Sequence, residues 1–286
     1  MTRLDHRSVP AFGALALLVL TGAMMYGLTV LFSALYASLH DLAMATASGH
    51  IQRDLPILTL VQLCAMGTAL VVGLRMFDPE TPLVEAVAMR PVRPLTLGVC
   101  FAAGVCLQLP LTELANALHA YVFGPDPLEQ QLALQNMLEA RTLVQGLTVV
   151  GCIAAVVPLM EELLFRGFFL FGLARRYGNG FALIVSSCFF GIVHMAAVPA
   201  VYATVAGLVL GVLALATRSV WPGVAVHAAI NALPVLIPER ALPVEGFNVP
   251  SAAATHLAPW LVWPPLAVGV ALLFVAARLE PASERA

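Results

Sequence analysis

The chain has 286 residues, 60% of them hydrophobic and only 10% charged, with a mean hydropathy of +0.92. Soluble domains run near 25% charged, so this composition excludes an ordinary water-soluble globule and predicts an all-α, polytopic membrane protein in contact with a lipid bilayer. The net charge of −2 points away from nucleic acid and from any strongly charged partner.

A helical span needs about 20 apolar residues to cross a hydrocarbon core of about 30 Å. Arg3 and Arg7 precede an uncharged run over 11–39, which at 29 residues is longer than the core of a cleaved secretory signal. It is predicted as a retained first span, over 11–38. Further spans are predicted at 55–74, at 95–112, from about 141 onward, and at 257–277. Between 181 and 238 the only formal charge is Arg218. The uncharged stretch 181–217 would be about 55 Å long as one helix, too long for a single crossing. A break around 196–199 would make two spans of it, with a third at 220–237, for a total of eight. The helix that begins near 141 is also long, and Gly146, Gly151 and Pro158 offer places for a kink. Leu128, Leu132, Leu134 and Leu138 suggest a short amphipathic helix in the loop before it, lying on the membrane. The chain therefore divides into a three-span region with an outer loop (1–140), a central core (141–238), and a terminal loop with the last span (239–286).

Arginine placement orients the bundle. With eight spans and both termini in the cytoplasm, Arg3, Arg7, Arg75, Arg90, Arg93, Arg175, Arg176, Arg218, Arg278 and Arg285 lie inside. Only Arg53, Arg141 and Arg240 lie outside, and Arg166 falls within the membrane. All 14 basic residues are arginine, a bias that suggests a GC-rich bacterial genome and hence a bacterial inner membrane. Cys64, Cys100, Cys106, Cys152 and Cys188 all fall in apolar segments with no CxxC spacing, so neither a disulfide framework nor a zinc knuckle is indicated.

Against this background Glu161 and Glu162 stand out. They follow 19 uncharged residues, 142–160, and open the stretch EELLFRG. Ionised carboxylates inside a bilayer are costly and mark functional sites. Counted at about 1.5 Å per residue from the cytoplasmic ends of their helices, Glu161, His194 and Asn231 lie at about the same depth, near 20 Å, with His227 at about 14 Å. Glu162 and Arg166 are i, i+4 and can pair on one face, which leaves Glu161, about 100° away, free to act as a base. His227 and Asn231 are also i, i+4 and can direct two donors at one point. Each histidine alone reads better as an interhelical hydrogen bond, but together with Glu161 the two read as parts of a site. There is no HExxH, GxSG or GxGD motif, and no serine or cysteine stands beside the histidines. What remains are a carboxylate base, a histidine and two oxyanion donors, the parts needed to activate water directly. Glu and His also suit zinc, so a metal on Glu161, His194 and His227 stays open as a second reading, although no cofactor is required.

EELLFRG, FGIVH (190–194) and HAAIN (227–231) resemble the EExxxR, FxxxH and HxxxN motifs of the CAAX prenyl endopeptidase-like and bacteriocin-processing (CPBP, or Abi) membrane proteins, with every fixed residue present in order. The resemblance covers about 141–237. It implies an eight-helix intramembrane protease core in which Glu161 and His194 activate water and His227 and Asn231 stabilise the oxyanion. Arg166 would pair with Glu162, and Phe190 would support the site. It also implies a membrane-associated or lipid-modified peptide as substrate. The alternatives are a non-catalytic scaffold, chaperone or immunity protein of the same fold, and a transporter, for which the internal repeat is missing.

Overall fold

The computed structural model describes residues 8–280. Among them, and taking each π-helical stretch with the α-helix it continues, the chain forms α1 (Ala11–His40), α2 (Met44–Ile51), α3 (Leu55–Phe77), α4 (Leu83–Ala86), α5 (Pro94–Phe123), α6 (Leu128–Leu138), α7 (Leu143–Tyr177), α8 (Asn179–Ile192), α9 (Ala197–Thr217), α10 (Trp221–Leu236) and α11 (Pro259–Leu279). No strand occurs among the described residues. Six helices, α1, α3, α5, α7, α9 and α11, are long and apolar enough to cross a membrane. α8 and α10 are apolar but shorter, at 14 and 16 residues. The chain is an all-α, polytopic membrane protein.

Local chemistry sets several helix boundaries. Asp54 caps α3 by accepting from the Ile57 amide at 3.0 Å. Thr142 and Gln145 form a reciprocal capping box that starts α7, with the Gln145 amide donating to Thr142 Oγ1 at 3.2 Å. The long apolar run 181–217 does break, but at 193–196 rather than at 196–199. Met195 turns the chain there with φ 56, in the left-handed region, and Ala196 is extended. Pro199 instead lies in the first turn of α9, where its missing N–H removes no helical hydrogen bond. His194 consequently stands on the turn between α8 and α9, not within a helix.

The helices alternate in direction, and the loops at each end are tied together. At one end the Val220 amide donates to Ala88 O at 3.0 Å, Ser219 Oγ donates to Arg90 O at 2.7 Å, and Thr96 Oγ1 donates to Glu280 at 2.5 Å. At the other end Gln131 exchanges two hydrogen bonds with the Ser251 backbone, and Asn116 Nδ2 donates to Gly246 O at 2.7 Å. Arg75, Arg90, Arg93, Arg175, Arg176, Arg218 and Arg278 belong to the first end, and Arg53, Arg141 and Arg240 to the second. Arg3, Arg7 and Arg285 lie outside the described residues.

Lipid is as apolar as leucine, so helices in a membrane associate mainly through close packing. Phe165, Phe168, Phe169 and Leu170 of α7 pack into one buried cluster with Leu17 of α1 and Leu70 of α3. A second cluster joins Cys100 of α5, Leu210 of α9, Val226 of α10 and Ala276 of α11. Gly104 lets α5 approach α10 so closely that a Cβ there would stand 2.7 Å from the Ala229 Cβ. The first cluster seats α7 and the second seats α10, the two helices that carry most of the rare polar residues.

Candidate active site

α7 is not a regular α-helix. Two π-helical stretches, Gly151–Val156 and Leu163–Leu170, flank the α-helical turn Val157–Glu162. In a π stretch each N–H reaches back five residues, and such bulges are frequent at functional sites. The Val157 N–H bonds to Cys152 O in this way. The next donor in the series would be residue 158, but Pro158 has no N–H, so the Ile153 carbonyl is left over. Asn231 Nδ2, from α10, donates to it at 3.1 Å. One of the two amide hydrogens of Asn231 is therefore committed to an irregularity in the neighbouring helix, which fixes the direction of the other.

Glu162 is fully buried, and Arg166 Nη1 donates to its Oε1 at 2.6 Å. His227 Nδ1 reaches the same oxygen at 3.1 Å. Breaking such a buried pair by removing one partner is costly, because the other charge is left uncompensated. The Arg166 guanidinium also lies 4.1 Å from the Phe190 ring centroid. Phe190 meets the rings of His194 and His227 edge-on, at 5.1 and 5.6 Å between centroids, so one aromatic side chain braces the ion pair and both histidines. Space around Glu162 is tight: a Cβ on Gly223 would stand 2.6 Å from Glu162 Oε2. Gly223→Ala is expected to push the carboxylate away from Arg166 and His227, lowering both melting temperature and activity. An unchanged melting curve in detergent would refute that constraint.

Glu161 is 5% exposed and, unlike its neighbour, has no arginine paired to it among the described residues. Gln62 Nε2, from α3, donates to its Oε1 at 2.6 Å. Its Oε2 faces His227 Nε2 at 3.5 Å. His227 thus stands between the two carboxylates, with one ring nitrogen toward each. His194 Nδ1 lies 2.8 Å from Phe190 O. A carbonyl can only accept, so Nδ1 carries the proton and Nε2 is the acceptor in the neutral ring.

A cavity of about 540 Å³ brings Glu161, Phe190, His194, His227 and Asn231 together. Glu162 and Arg166 do not line it. Leu134 and Leu138 of α6 line it as well, so the predicted amphipathic helix forms but covers the cavity on one side. Among the described residues, no group of three or more His, Cys, Asp or Glu side chains is arranged to hold a metal ion, so Glu161, His194 and His227 share a cavity without forming a ligand cluster. Sequence reasoning missed Gln62, whose signal was a lone amide in the apolar span 55–74. It also missed Tyr202, which lines the cavity from α9.

Residues 143–233 match the family described as type II CAAX prenyl endopeptidase Rce1-like. The Bacillus subtilis (strain 168) protein named "Putative membrane peptidase YdiL" is 28% identical over 136 residues, which is 47% of this chain and 54% of that protein. The chain thus spans about half the length of this relative. No solved structure matches it. The matched stretch 143–233 holds all of Glu161, Glu162, Arg166, Phe190, His194, His227 and Asn231, and over it the chain is similar to the CAAX prenyl endopeptidase-like membrane proteins.

Proposed function

We propose that the protein is an intramembrane endopeptidase of a bacterial inner membrane. It hydrolyses a peptide bond of a membrane-associated or lipid-modified protein or peptide, using water activated by Glu161. The observation that carries this reading is a buried carboxylate with no arginine paired to it among the described residues, lining a cavity that it shares with two histidines and an asparagine. The family likeness and the name of the relative support it.

The geometry suggests a proton route. Gln62 holds Glu161 Oε1, so Oε2 takes the proton of the attacking water while the water oxygen adds to the scissile carbonyl. The acceptor Nε2 of His194 assists by orienting that water. His227 Nε2 then receives the proton from Glu161 Oε2, and the imidazolium is stabilised by Glu162 at Nδ1. The remaining N–H of Asn231 and the protonated His227 donate to the oxyanion. When the C–N bond breaks, the amine leaves with the proton carried by His227, and Glu161 is again ionised. Protons and electrons balance with water as the only co-reactant. The resemblance assigns the same residues, but it does not include Gln62.

Two measurements bear on this. Comparing peptide termini in cells with the wild-type protein, with none, and with Glu161→Gln should reveal shortened chains in the wild type alone. Identical termini in all three would remove the proteolytic reading and favour a scaffold. Gln62→Leu should lower kcat by about 10–100-fold with little change in KM, the size expected for a hydrogen bond to a charged group. A rise confined to KM would assign Gln62 to substrate binding instead.

A further inference from the structure

Tyr202 stands in the same cavity as Glu161, His194, His227 and Asn231, and the route above gives it no part. Its side chain, in the second turn of α9, packs against the main buried cluster and reaches the cavity. Ala203 and Ala206, which line the cavity beside it, have nothing beyond a methyl group to cover the ring. The backbone beneath it is held. Gly191 of α8 has no room for a Cβ, because Thr204 Oγ1 and Ala200 O of α9 stand where it would be. Tyr202 lies midway between these two contacts, and Gly191 follows Phe190, which braces both histidines. α9 is thus locked to the helix that carries Phe190, and the phenol has a rigid base.

A tyrosine hydroxyl inside a protein ordinarily has a hydrogen-bond partner. That of Tyr202 has none among the described residues, although the Glu161 carboxylate is near enough for its charge to act on the phenol. No hydrogen bond joins the two: Glu161 Oε1 accepts from Gln62, and Oε2 faces His227. The O–H is therefore a donor beside the base that is not committed to it. The other polar groups around Glu161 are already engaged. His194 Nδ1 donates to Phe190 O, which leaves that ring an acceptor, and one N–H of Asn231 is bonded to Ile153 O. On the proposed route His227 becomes a donor toward the substrate only after it has taken the proton from Glu161. When water first adds to the carbonyl, one N–H of Asn231 is thus the donor already in place. Oxyanion sites work through donors preorganised before the charge develops.

Resting on the proteolytic reading above, we infer that Tyr202 is a further catalytic residue, whose O–H donates together with Asn231 Nδ2 to the oxygen of the scissile carbonyl as the tetrahedral intermediate forms. The proton stays on the phenol throughout, so the proton balance of the route is unchanged.

The test reads binding rather than turnover. Acetylated hexapeptide amides of alanine and leucine are titrated into the full chain in nanodiscs, each beside an analogue whose central peptide bond is replaced by a phosphinate. The phosphinate is tetrahedral and anionic, like the intermediate, whereas the peptide bond is planar and neutral. Wild-type protein should bind the phosphinate about a hundredfold or more tightly than the peptide. Tyr202→Phe removes one oxygen and keeps the ring. It should weaken the phosphinate about tenfold or more and leave the peptide unaffected, the size expected for a hydrogen bond to a charged group. Full retention of the phosphinate preference in Tyr202→Phe overturns the inference and leaves the proteolytic reading standing. Equal losses for both ligands make Tyr202 a packing residue and overturn it as well. A wild-type protein with no preference removes the proteolytic reading, and the inference with it. Should Tyr202→Phe fail to fold, 3-fluorotyrosine at position 202 keeps the hydroxyl and decides the matter. Its fluorine-19 resonance should shift with the phosphinate and not with the peptide, and the same response to both ligands overturns the inference.

Discussion

Glu161→Gln is expected to lower turnover by at least about a hundredfold while leaving the melting temperature near that of the wild type. The glutamine oxygen can still accept from Gln62 Nε2, which lies 2.6 Å from the native Oε1, so the local hydrogen bond survives. The loss is confined to basicity: an amide cannot take a proton from water. His227 also loses the carboxylate 3.5 Å from its Nε2, and with it the proton transfer to the leaving amine. Equal rates for purified Glu161→Gln and wild-type protein on a genuine substrate would refute the assignment. Metal analysis accompanies the kinetics. Stoichiometric zinc, lost together with activity in His227→Ala or on adding a chelator, would replace the metal-free route by one in which Glu161, His194 and His227 act as ligands.

Arg166→Met is expected to have the largest effect on stability, about 3–5 kcal/mol. It leaves Glu162, which is 0% exposed, with only His227 as a partner. It also removes the guanidinium that covers Phe190, and so loosens the contacts of that ring with both histidines. Thermal unfolding in detergent measures the loss. The double variant Glu162→Leu with Arg166→Met removes both charges together and should regain much of the stability, while staying inactive for want of the carboxylate behind His227. If the double variant melts no higher than Arg166→Met alone, packing rather than the buried charge accounts for the penalty.

Some of this was legible in the sequence because it depends on regular spacing. The Glu162–Arg166 pair follows from the α-helical i, i+4 relation, and it forms at the start of the second π stretch of α7. The apolar segments and the meeting of Glu161, His194, His227 and Asn231 in one cavity follow from run lengths and depth counting. The rest depends on relations that no periodicity encodes. The turn that carries His194 comes from the left-handed backbone of Met195, which composition does not mark. The anchoring of Asn231 needs the π register of α7 together with Pro158, so that one carbonyl is missing its donor. Both hydrogen bonds that fix the site's orientation, Gln62 to Glu161 and Asn231 to Ile153, join residues far apart in the chain.

The separation of Gln62 from Glu161 by 99 residues has a meaning for how the molecule is made. Ribosomes add about 5–20 residues per second, so α3 is synthesised roughly 5–20 s before the carboxylate it will hold. When α7 enters the membrane, Glu162 already has Arg166 four residues on, and Glu161 finds a waiting amide. His227 lies 65 residues beyond Glu162 and arrives seconds later still. The acid–base pair is therefore completed by one of the last helices to be inserted, so a nascent chain holds its base without its proton carrier. On the proposed mechanism, hydrolysis would begin only when α10 has joined the bundle.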